Sequence, residues 1–452
     1  MPARVYNQVD VTVCLENAIK EGSLSDIASI AESTFRREFG RINARLIRIC
    51  GSIDLAEDAL QDAFASALGS WPEKGTPEDP AAWISAVALR KLISSVRRDQ
   101  TKRTKHDALS REWRTAMQTN ELIEESCMDG PDDRLRLIFT CCHPALSREA
   151  QIALTLRTLG GLTTVEIAKS FLASESTIAQ RLVRAKRKIS DARIPYAVPS
   201  AEQLPIRLKS VQGVIYLIFN EGYAATSGDH LIRRELCQEA IRLARVLCQL
   251  LPAEPENLGL LALMLLHDSR ARARVNPSGQ LVPLEEQDRS LWDQSEIEEG
   301  LDIAEKALST RRVGPYQLQA AIAALHAQAP TPADTDWVRI AGLYEKLLGF
   351  NRSAVVGLNY AAAVAMSAGL HEGIHRIDEL EASGKLDNYY LLHAARADIL
   401  RRLGQWGPAA EAYRRALSLA TNRIEQDYLR RRLSELSSEE DFGKVSDDAE
   451  SR

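Results

Sequence analysis

The chain has 452 residues and a net charge of -5, and its length exceeds what one hydrophobic core organises, so we expect two to four domains. No apolar run approaches the roughly 20 residues that cross a bilayer, and the first residues lack the apolar core of a signal peptide. We therefore expect a cytoplasmic protein without membrane contact. Seven cysteines without CxxC spacing argue against a disulfide framework or a zinc site, and no metal or cofactor is expected.

Charge is segregated along the chain. Residues 90–114 carry nine Lys or Arg against three acidic residues, and residues 175–193 carry six against two. Two basic blocks in an otherwise acidic protein are suited to neutralising phosphates and releasing counterions.

Apolar periodicity predicts an all-α fold, with proline-rich and glycine-rich breaks between helical segments. In the first domain we expect helices at 25–39, 40–49, about 54–69 and 80 to about 98. The predicted order of domains is an N-terminal extension at 1–24, a helical domain at 25–100, a linker at 101–132, a second helical domain at 133–193, a helical extension at 206–330, repeats at 331–436 and a disordered tail at 437–452.

The repeats have a period of 34 to 35 residues, because Gly369 and Gly404 lie 35 residues apart and each precedes a helix. This period resembles that of tetratricopeptide repeats, whose helix pairs must stack to bury their apolar faces. A middle unit departs from the pattern, with Asp378 at an aromatic position. The last unit matches best, at Ala397, Gly404, Trp406, Ala409, Tyr413, Ala416 and Leu417.

Residues 162–189 encode two short helices. Thr163 and Glu166 have the spacing of a capping box, and Ser174 is a suitable N-cap for the second helix. The predicted apolar faces consist of Val165, Ile167, Ala168 and Phe171 in the first helix, and of Ile178, Leu182, Ala185 and Ile189 in the second.

The opposite face of the second helix is polar and basic, as in a helix-turn-helix that reads duplex DNA. There the N-terminal residues reach base edges and later cations bind phosphates. A solvated helix in an ordinary bundle is the alternative. The predicted DNA-facing residues are Glu175, Ser176, Thr177, Gln180, Arg181, Arg184 and Lys188, flanked by Lys186 and Arg187.

The run EDALQDAF in the first domain places Leu60, Ala63 and Phe64 inward. Its acidic and amide side chains are then expected on or near an exposed face, which a solvated helix would also explain. The predicted surface consists of Glu57, Asp58, Gln61 and Asp62.

These blocks, in this order, resemble the extracytoplasmic function (ECF) sigma factors of RNA polymerase over residues 25–193. EDALQDAF looks like region 2.2, WPEKGTPEDPAAWISAVALRKLISSVRRD like regions 2.3 and 2.4, and the helix-turn-helix like region 4.2. The resemblance implies binding to core RNA polymerase, at the β′ clamp helices and the β flap, and to promoter DNA.

The same resemblance assigns the minus-thirty-five element to the helix-turn-helix and the minus-ten element to the basic helix of the first domain. The residues implied for the minus-ten element are Arg90, Lys91, Arg97 and Arg98. Many family members carry Asn and Asp where this chain has Arg90 and Ser94. Trp83 is assigned to the core because of its helical position.

Residues 206–436 look like the long C-terminal extension of one sigma-factor subgroup, implying a regulatory domain that contacts a protein or a ligand. Polar groups at 220–223 and 267–270 suit a ligand pocket. The favoured interpretation is instead a set of buried ion pairs among Glu221, Arg270, Arg274, Asp288 and Arg289.

Two other function classes compete with the sigma-factor interpretation. One is a tetratricopeptide scaffold with a DNA-binding head that does not initiate transcription. The other is an enzyme, which the absence of a GxSxG, P-loop, HExxH or nucleotide-binding glycine motif disfavours.

Overall fold

The computed structural model describes residues 25–103, 131–171, 173–225, 231–350 and 352–450. The predicted N-terminal extension and nearly all of the predicted linker lie outside these residues. The described part is all-α, as predicted, and contains no strand beyond isolated bridge residues such as the antiparallel pair Val275 and Leu281. None of its helices has the length and apolar character that spanning a membrane requires.

The chain divides into two compact units, Met1–Val214 and Ile215–Arg452. The boundary falls inside one helix, α8. The helices of the first unit are α1 (Ser25–Cys50), α2 (Ile53–Lys74), α3 (Pro80–Arg103), α4 (Pro131–Cys141), α5 (Arg148–Thr158), α6 (Thr164–Ser170), α7 (Glu175–Asp191) and the start of α8 (Leu204–Tyr223).

Helix α1 is continuous, so the predicted break between residues 39 and 40 is wrong. Gly40 lies inside the helix and faces the segment after α5, where an added Cβ would come within 2.6 Å of the Leu159 carbonyl oxygen. Glycine is therefore required here by a close backbone approach rather than by a turn.

Helix α1 joins the first helical region (25–103) to the second (131–193), because it packs against α2 and α3 as well as α4 and α5. The ring of Phe35 lies 4.8 Å from those of Phe39 and Phe64, measured between centroids. Gly161 has a φ of 72° and lies directly over Phe35 and Phe39. The two regions therefore pack on each other through buried apolar side chains of α1.

The second unit is a succession of helices that pack mostly against their neighbours in sequence, except that the helix at Pro315–Gln328 packs mainly against the one at Pro255–Asp268. After the end of α8, its helices are α9 (Arg234–Leu250), α10 (Pro255–Asp268), α11 (Gln294–Ser309), α12 (Pro315–Gln328), α13 (Trp337–Phe350), α14 (Ala354–Ser367), α15 (Leu370–Ala382), α16 (Tyr390–Arg402), α17 (Trp406–Leu419) and α18 (Arg423–Glu450).

The predicted repeat positions lie where helix pairs meet. Gly369 and Gly404 both adopt positive φ, at 111° and 74°, directly before α15 and just before α17. Asp378, at the departing position, is bound by Arg396 at 3.0 Å. The packing positions of the last unit form one buried cluster with α18, and this cluster contains Ala397, Ala409, Tyr413 and Ala416, with Trp406 and Leu417 packed against it.

The tail that we expected to be disordered continues α18 as a helix to Glu450. The reason is that the start of α18 is anchored by buried Leu429 and Leu436, and adding residues to an existing helix costs far less than nucleating a new one.

The close approach at Gly40 predicts a specific loss of stability. Gly40→Ala should lower the free energy of unfolding of the first unit by about 1–3 kcal/mol, because a backbone carbonyl cannot move aside as a side chain would. Gly69→Ala is the matched control, since it lies inside α2 with open space around its Cβ position, and it should be neutral or stabilising. Urea unfolding of both variants measures the difference, and equal stability would contradict the close approach.

Candidate nucleic-acid interface

The start of α6 and the start of α7 are each fixed by capping hydrogen bonds. The Thr163 amide donates to the Glu166 carboxylate at 2.7 Å, and the Glu166 amide donates to the Thr163 hydroxyl at 3.0 Å. The Ser174 hydroxyl accepts from the Thr177 amide at 3.1 Å. The capping box and the N-cap predicted from the sequence are thus confirmed, and α7 starts where the helix-turn-helix pattern requires.

Burial separates the two faces of α7 as predicted. Ile178, Leu182 and Ala185 are buried, and Ile189 is half-buried. In α6 the assignment is wrong at Val165, which is 48% exposed because it points away from the core that Ile167 and Ala168 enter. The buried residues Ile178, Leu182 and Ala185 therefore orient α7, and they leave its polar face toward solvent.

The opposite face of α7 borders a shallow cavity of about 350 Å³ opposite the start of α5. Glu175, Ser176 and Lys188 are exposed, and Arg181 is half-buried beside the cavity. Of the predicted DNA-facing residues, the structure brings together in this cavity Thr177, Gln180, Arg181, Arg184 and Lys188, with Ser147 on its far wall. A cationic, solvent-facing helix of this kind can enter a major groove.

A second cavity, of about 440 Å³, opens on α3 and is lined by Arg90 and Lys91 together with Trp83. Trp83 is half-buried and packs edge-on against buried Trp71, with ring centroids 5.5 Å apart. Part of the Trp83 ring thus packs in the core, as expected, while another part of the ring lines the cavity. The side chains of the other two predicted minus-ten residues, Arg97 and Arg98, lie outside the described residues.

The acidic surface predicted on α2 is only partly present. Asp58 and Asp62 are exposed and Gln61 is half-buried, whereas Glu57 is only 4% exposed, so its placement on an exposed face is wrong. The cause is a contact with α7, since the Lys186 ammonium lies 2.9 Å from the Glu57 carboxylate.

Lys186 joins α7 to α2 through two carboxylates. It lies 2.7 Å from Asp54 as well as 2.9 Å from Glu57, and Arg157 of α5 approaches Glu57 at 3.8 Å. Burial lowers the pKa of Lys186, but the two carboxylates outweigh this effect and raise the pKa above its ordinary value. Lys186 is consequently charged and held in the protein, not presented as a flanking cation.

Further polar contacts join the two regions around α1. The Asn43 amide donates to the Thr158 carbonyl at 3.0 Å, and Arg48 binds Asp133 at 2.8 Å. The Tyr196 hydroxyl donates to the Ala44 carbonyl at 2.7 Å. The sequence analysis missed these residues, because partners separated by more than 100 positions, as Asn43 and Thr158 are, leave no local pattern.

Cys141 and Cys142, the adjacent pair in the second region, are buried thiols. Cys141 lies 3.1 Å from the Thr158 hydroxyl, and burial raises the pKa of Cys142 to about 11. Burial raises the pKa of Cys141 as well, so both thiols are protonated at neutral pH and pack as small apolar groups.

The polar residues predicted to form ion pairs in the second unit make other contacts. Glu221 binds Arg233, and Asp288 is exposed and caps a short 3₁₀ turn through Ser290. Arg270 and Arg289 bond to uncharged groups, and Arg274 donates to the Tyr223 carbonyl. The expected network is therefore wrong for Asp288, Arg270 and Arg289.

Comparisons with known families agree with this geometry. Residues 35–103 match the family model for sigma-70 region 2, and residues 136–189 match that for sigma-70 region 4. Residues 207–308 match a family of unknown function (DUF6596).

Two relatives extend the comparison. An uncharacterized protein of Rhizobium meliloti (strain 1021) is 44% identical over 406 residues, which are 87% of this chain and 93% of that protein. A probable ECF RNA polymerase sigma factor, SigI of Mycobacterium tuberculosis, is 26% identical over 155 residues, which are 34% of this chain and 52% of that protein.

Both regions by which sigma factors are defined thus occur here in the expected order, and a helical domain follows them. Families of this kind act in transcription initiation by binding core RNA polymerase and promoter DNA, without an enzymatic activity of their own. The chain belongs to the ECF family of RNA polymerase sigma factors and carries a long C-terminal helical extension.

Proposed function

We propose that this sigma factor directs core RNA polymerase to a specific class of promoters, with α7 reading the minus-thirty-five element. The observation that carries the proposal is the division of α7 into a buried apolar stripe and a cationic exposed face. Thr177 and Gln180 are exposed near its start, where base edges are read, and Arg184 and Lys188 follow, where phosphates are bound.

The cavity on α3 is proposed to hold the melted minus-ten strand. Its cations, Arg90 and Lys91, suit the sugar-phosphate backbone, and the accessible part of Trp83 offers a surface for an unpaired base. Arg97 and Arg98 are proposed to extend the cationic path along the same helix. Sigma region 2 is accordingly proposed at residues 25–100 and region 4 at 133–193.

Polymerase binding is proposed at α2, with Asp58, Gln61 and Asp62 facing the β′ clamp helices and the second region facing the β flap. Glu57 is proposed to join this surface only when Lys186 leaves it. We propose that the arrangement with Lys186 on Glu57 is a closed form, and that the second region moves away from α2 when the two regions bind separate promoter sites.

Substitution in α7 should change which promoters are used. Arg181→Ala or Gln180→Ala is expected to reduce the preference for the cognate promoter about tenfold or more, since one good contact to a base contributes about 1–3 kcal/mol. Arg187→Ala is the control, because Arg187 lies on the same helix but outside the cavity and should retain the preference. Reconstituted transcription with competing promoters measures the ratio, and an unchanged ratio would refute the assignment of α7.

Charge reversal on α2 should weaken binding to core polymerase. Asp58→Lys with Asp62→Lys is expected to reduce the affinity at least tenfold, because two exposed acidic groups become repulsive toward a basic partner. The control is Glu202→Lys, an equally exposed acidic residue outside the first region. Fluorescence anisotropy with labelled protein gives the dissociation constants, and wild-type affinity in the double variant would exclude this surface.

Removing the Lys186 charge should favour the open form. In Lys186→Met, Glu57 remains buried with only the longer contact to Arg157, so the closed form loses stability and affinity for core polymerase should rise about threefold to tenfold. Lys188→Met removes an exposed lysine two positions away and should bind polymerase normally. Should the Lys186 variant bind like the wild type, the contact does not compete with polymerase.

The C-terminal extension is proposed to regulate initiation. Supporting this, the first part of α8 bonds to the second region, where Arg207 donates to the Phe139 carbonyl at 2.6 Å, and the same helix continues into the second unit. A regulatory protein or a ligand bound to the second unit could act through this helix.

Run-off transcription tests the whole proposal. The full chain is compared with a truncation after Val214, which keeps the contacts of α8 with the second region. A regulatory extension predicts a change of threefold or more in transcript yield at equal polymerase occupancy. Failure of both proteins to bind polymerase, with retention of another protein partner, would favour the scaffold alternative.

A further inference from the structure

The second unit contains a cavity of about 270 Å³ that the sigma-factor activity does not use. It lies among α8, α10, α12, α13 and α14, and Asn359 at one side is exposed, so solvent reaches it. Its walls combine tyrosine rings and aliphatic groups with a few polar side chains, among them Tyr216, His267, Arg270, His326, Tyr344 and Val356.

Arg270 is the charged group of this cavity, and it is only 8% exposed. Its Nη2 donates to the Tyr223 hydroxyl and to His267 Nδ1, both at 2.9 Å. In the part of the chain that the structure describes, no carboxylate forms an ion pair with Arg270, and its Nε and Nη1 have no hydrogen-bond partner. Three N–H groups of a permanently charged guanidinium are therefore unused beside an open space.

The two histidines of the cavity, His267 and His326, add no charge of their own. Burial, and then Arg270, hold the pKa of His267 well below its ordinary range, and the same influences together with Arg289 lower the pKa of His326 to about 4. Since Arg270 can only donate, His267 Nδ1 accepts, and its proton is on Nε2. Both rings are thus neutral at pH 7, and the cavity has an uncompensated positive charge.

A second guanidinium increases this positive field. Arg270 and Arg289 lie over the ring of Trp292, at 5.8 and 4.6 Å from its centroid. Arg289 donates to the backbone carbonyls of His326 and Ala329. Burying a cation without a counter-ion is costly, and an anion that enters the cavity would offset that cost.

We propose that this cavity binds a small organic anion, a carboxylate with a compact apolar body, through the Arg270 guanidinium. The carboxylate accepts hydrogen bonds from the unused N–H groups of Arg270, and the rings of Tyr216 and Tyr344 contact the apolar body. This proposal rests on the regulatory role proposed above, for which the anion would be the ligand. Binding itself depends on neither polymerase nor DNA, so it is tested separately from that role.

Titration of the full chain with sodium benzoate tests the proposal, with benzamide as the uncharged probe of the same shape. Calorimetry should detect benzoate binding, and saturating benzoate should raise the Tm of the second unit by about 3 °C. Benzamide should bind at least tenfold more weakly. Arg270→Gln should lose benzoate binding, whereas Arg272→Gln, an exposed arginine two positions away, should keep it.

Val356→Phe gives a second test that leaves Arg270 unchanged. The larger side chain fills part of the cavity and should reduce benzoate affinity at least tenfold, which a nonspecific effect of salt would not do. The proposal is overturned if wild-type protein gives neither heat nor a Tm shift with benzoate, or if benzoate binds Arg270→Gln and Val356→Phe as it binds the wild type.

Discussion

The close packing of α1 against the second region is the constraint on which the first unit depends. Gly40 permits a backbone carbonyl to approach the helix directly, and Gly161 folds the chain over Phe35 and Phe39. With α1 fixed on both sides, α2 faces α7 closely enough for Lys186 to reach Glu57 at 2.9 Å. Apolar packing thus creates the setting in which a salt bridge between distant regions can form.

In this arrangement the Lys186 side chain has two effects. Lys186 holds α7 against α2, and in doing so it covers Glu57, which belongs to the surface proposed for polymerase, while the cationic face of α7 stays exposed. A buried ion pair contributes little net stability compared with apolar packing, but removing one partner is costly. The pair therefore suits a contact that must be specific and yet be exchanged for another partner.

The second unit combines stacked helices with a few arginines whose hydrogen bonds go to neutral groups, among them Arg270 and Arg289. Its helix pairs bury alanines and tyrosines as repeat packing requires, with Tyr413 at the centre of the last pair. Arg270 does not belong to this packing scheme, because it bonds to neutral groups beside a cavity. For the proposed regulation, the stacked helices would give the second unit its shape, and the cavity at Arg270 would recognise the ligand.

The sequence alone determined the all-α class, the capping of α6 and α7, the exposed face from Thr177 to Lys188 and the repeat glycines, because each depends on neighbours within one or two helical turns. Only the tertiary structure decided the continuity of α1 at Gly40, the burial of Glu57 and the bonding of Arg270 to neutral groups. Those properties depend on groups far away in sequence: Lys186 lies 129 residues from Glu57, and no periodicity encodes such a pairing. Local patterns fix which face of a helix is polar, whereas the packing of helices decides which of its charges remain in solvent.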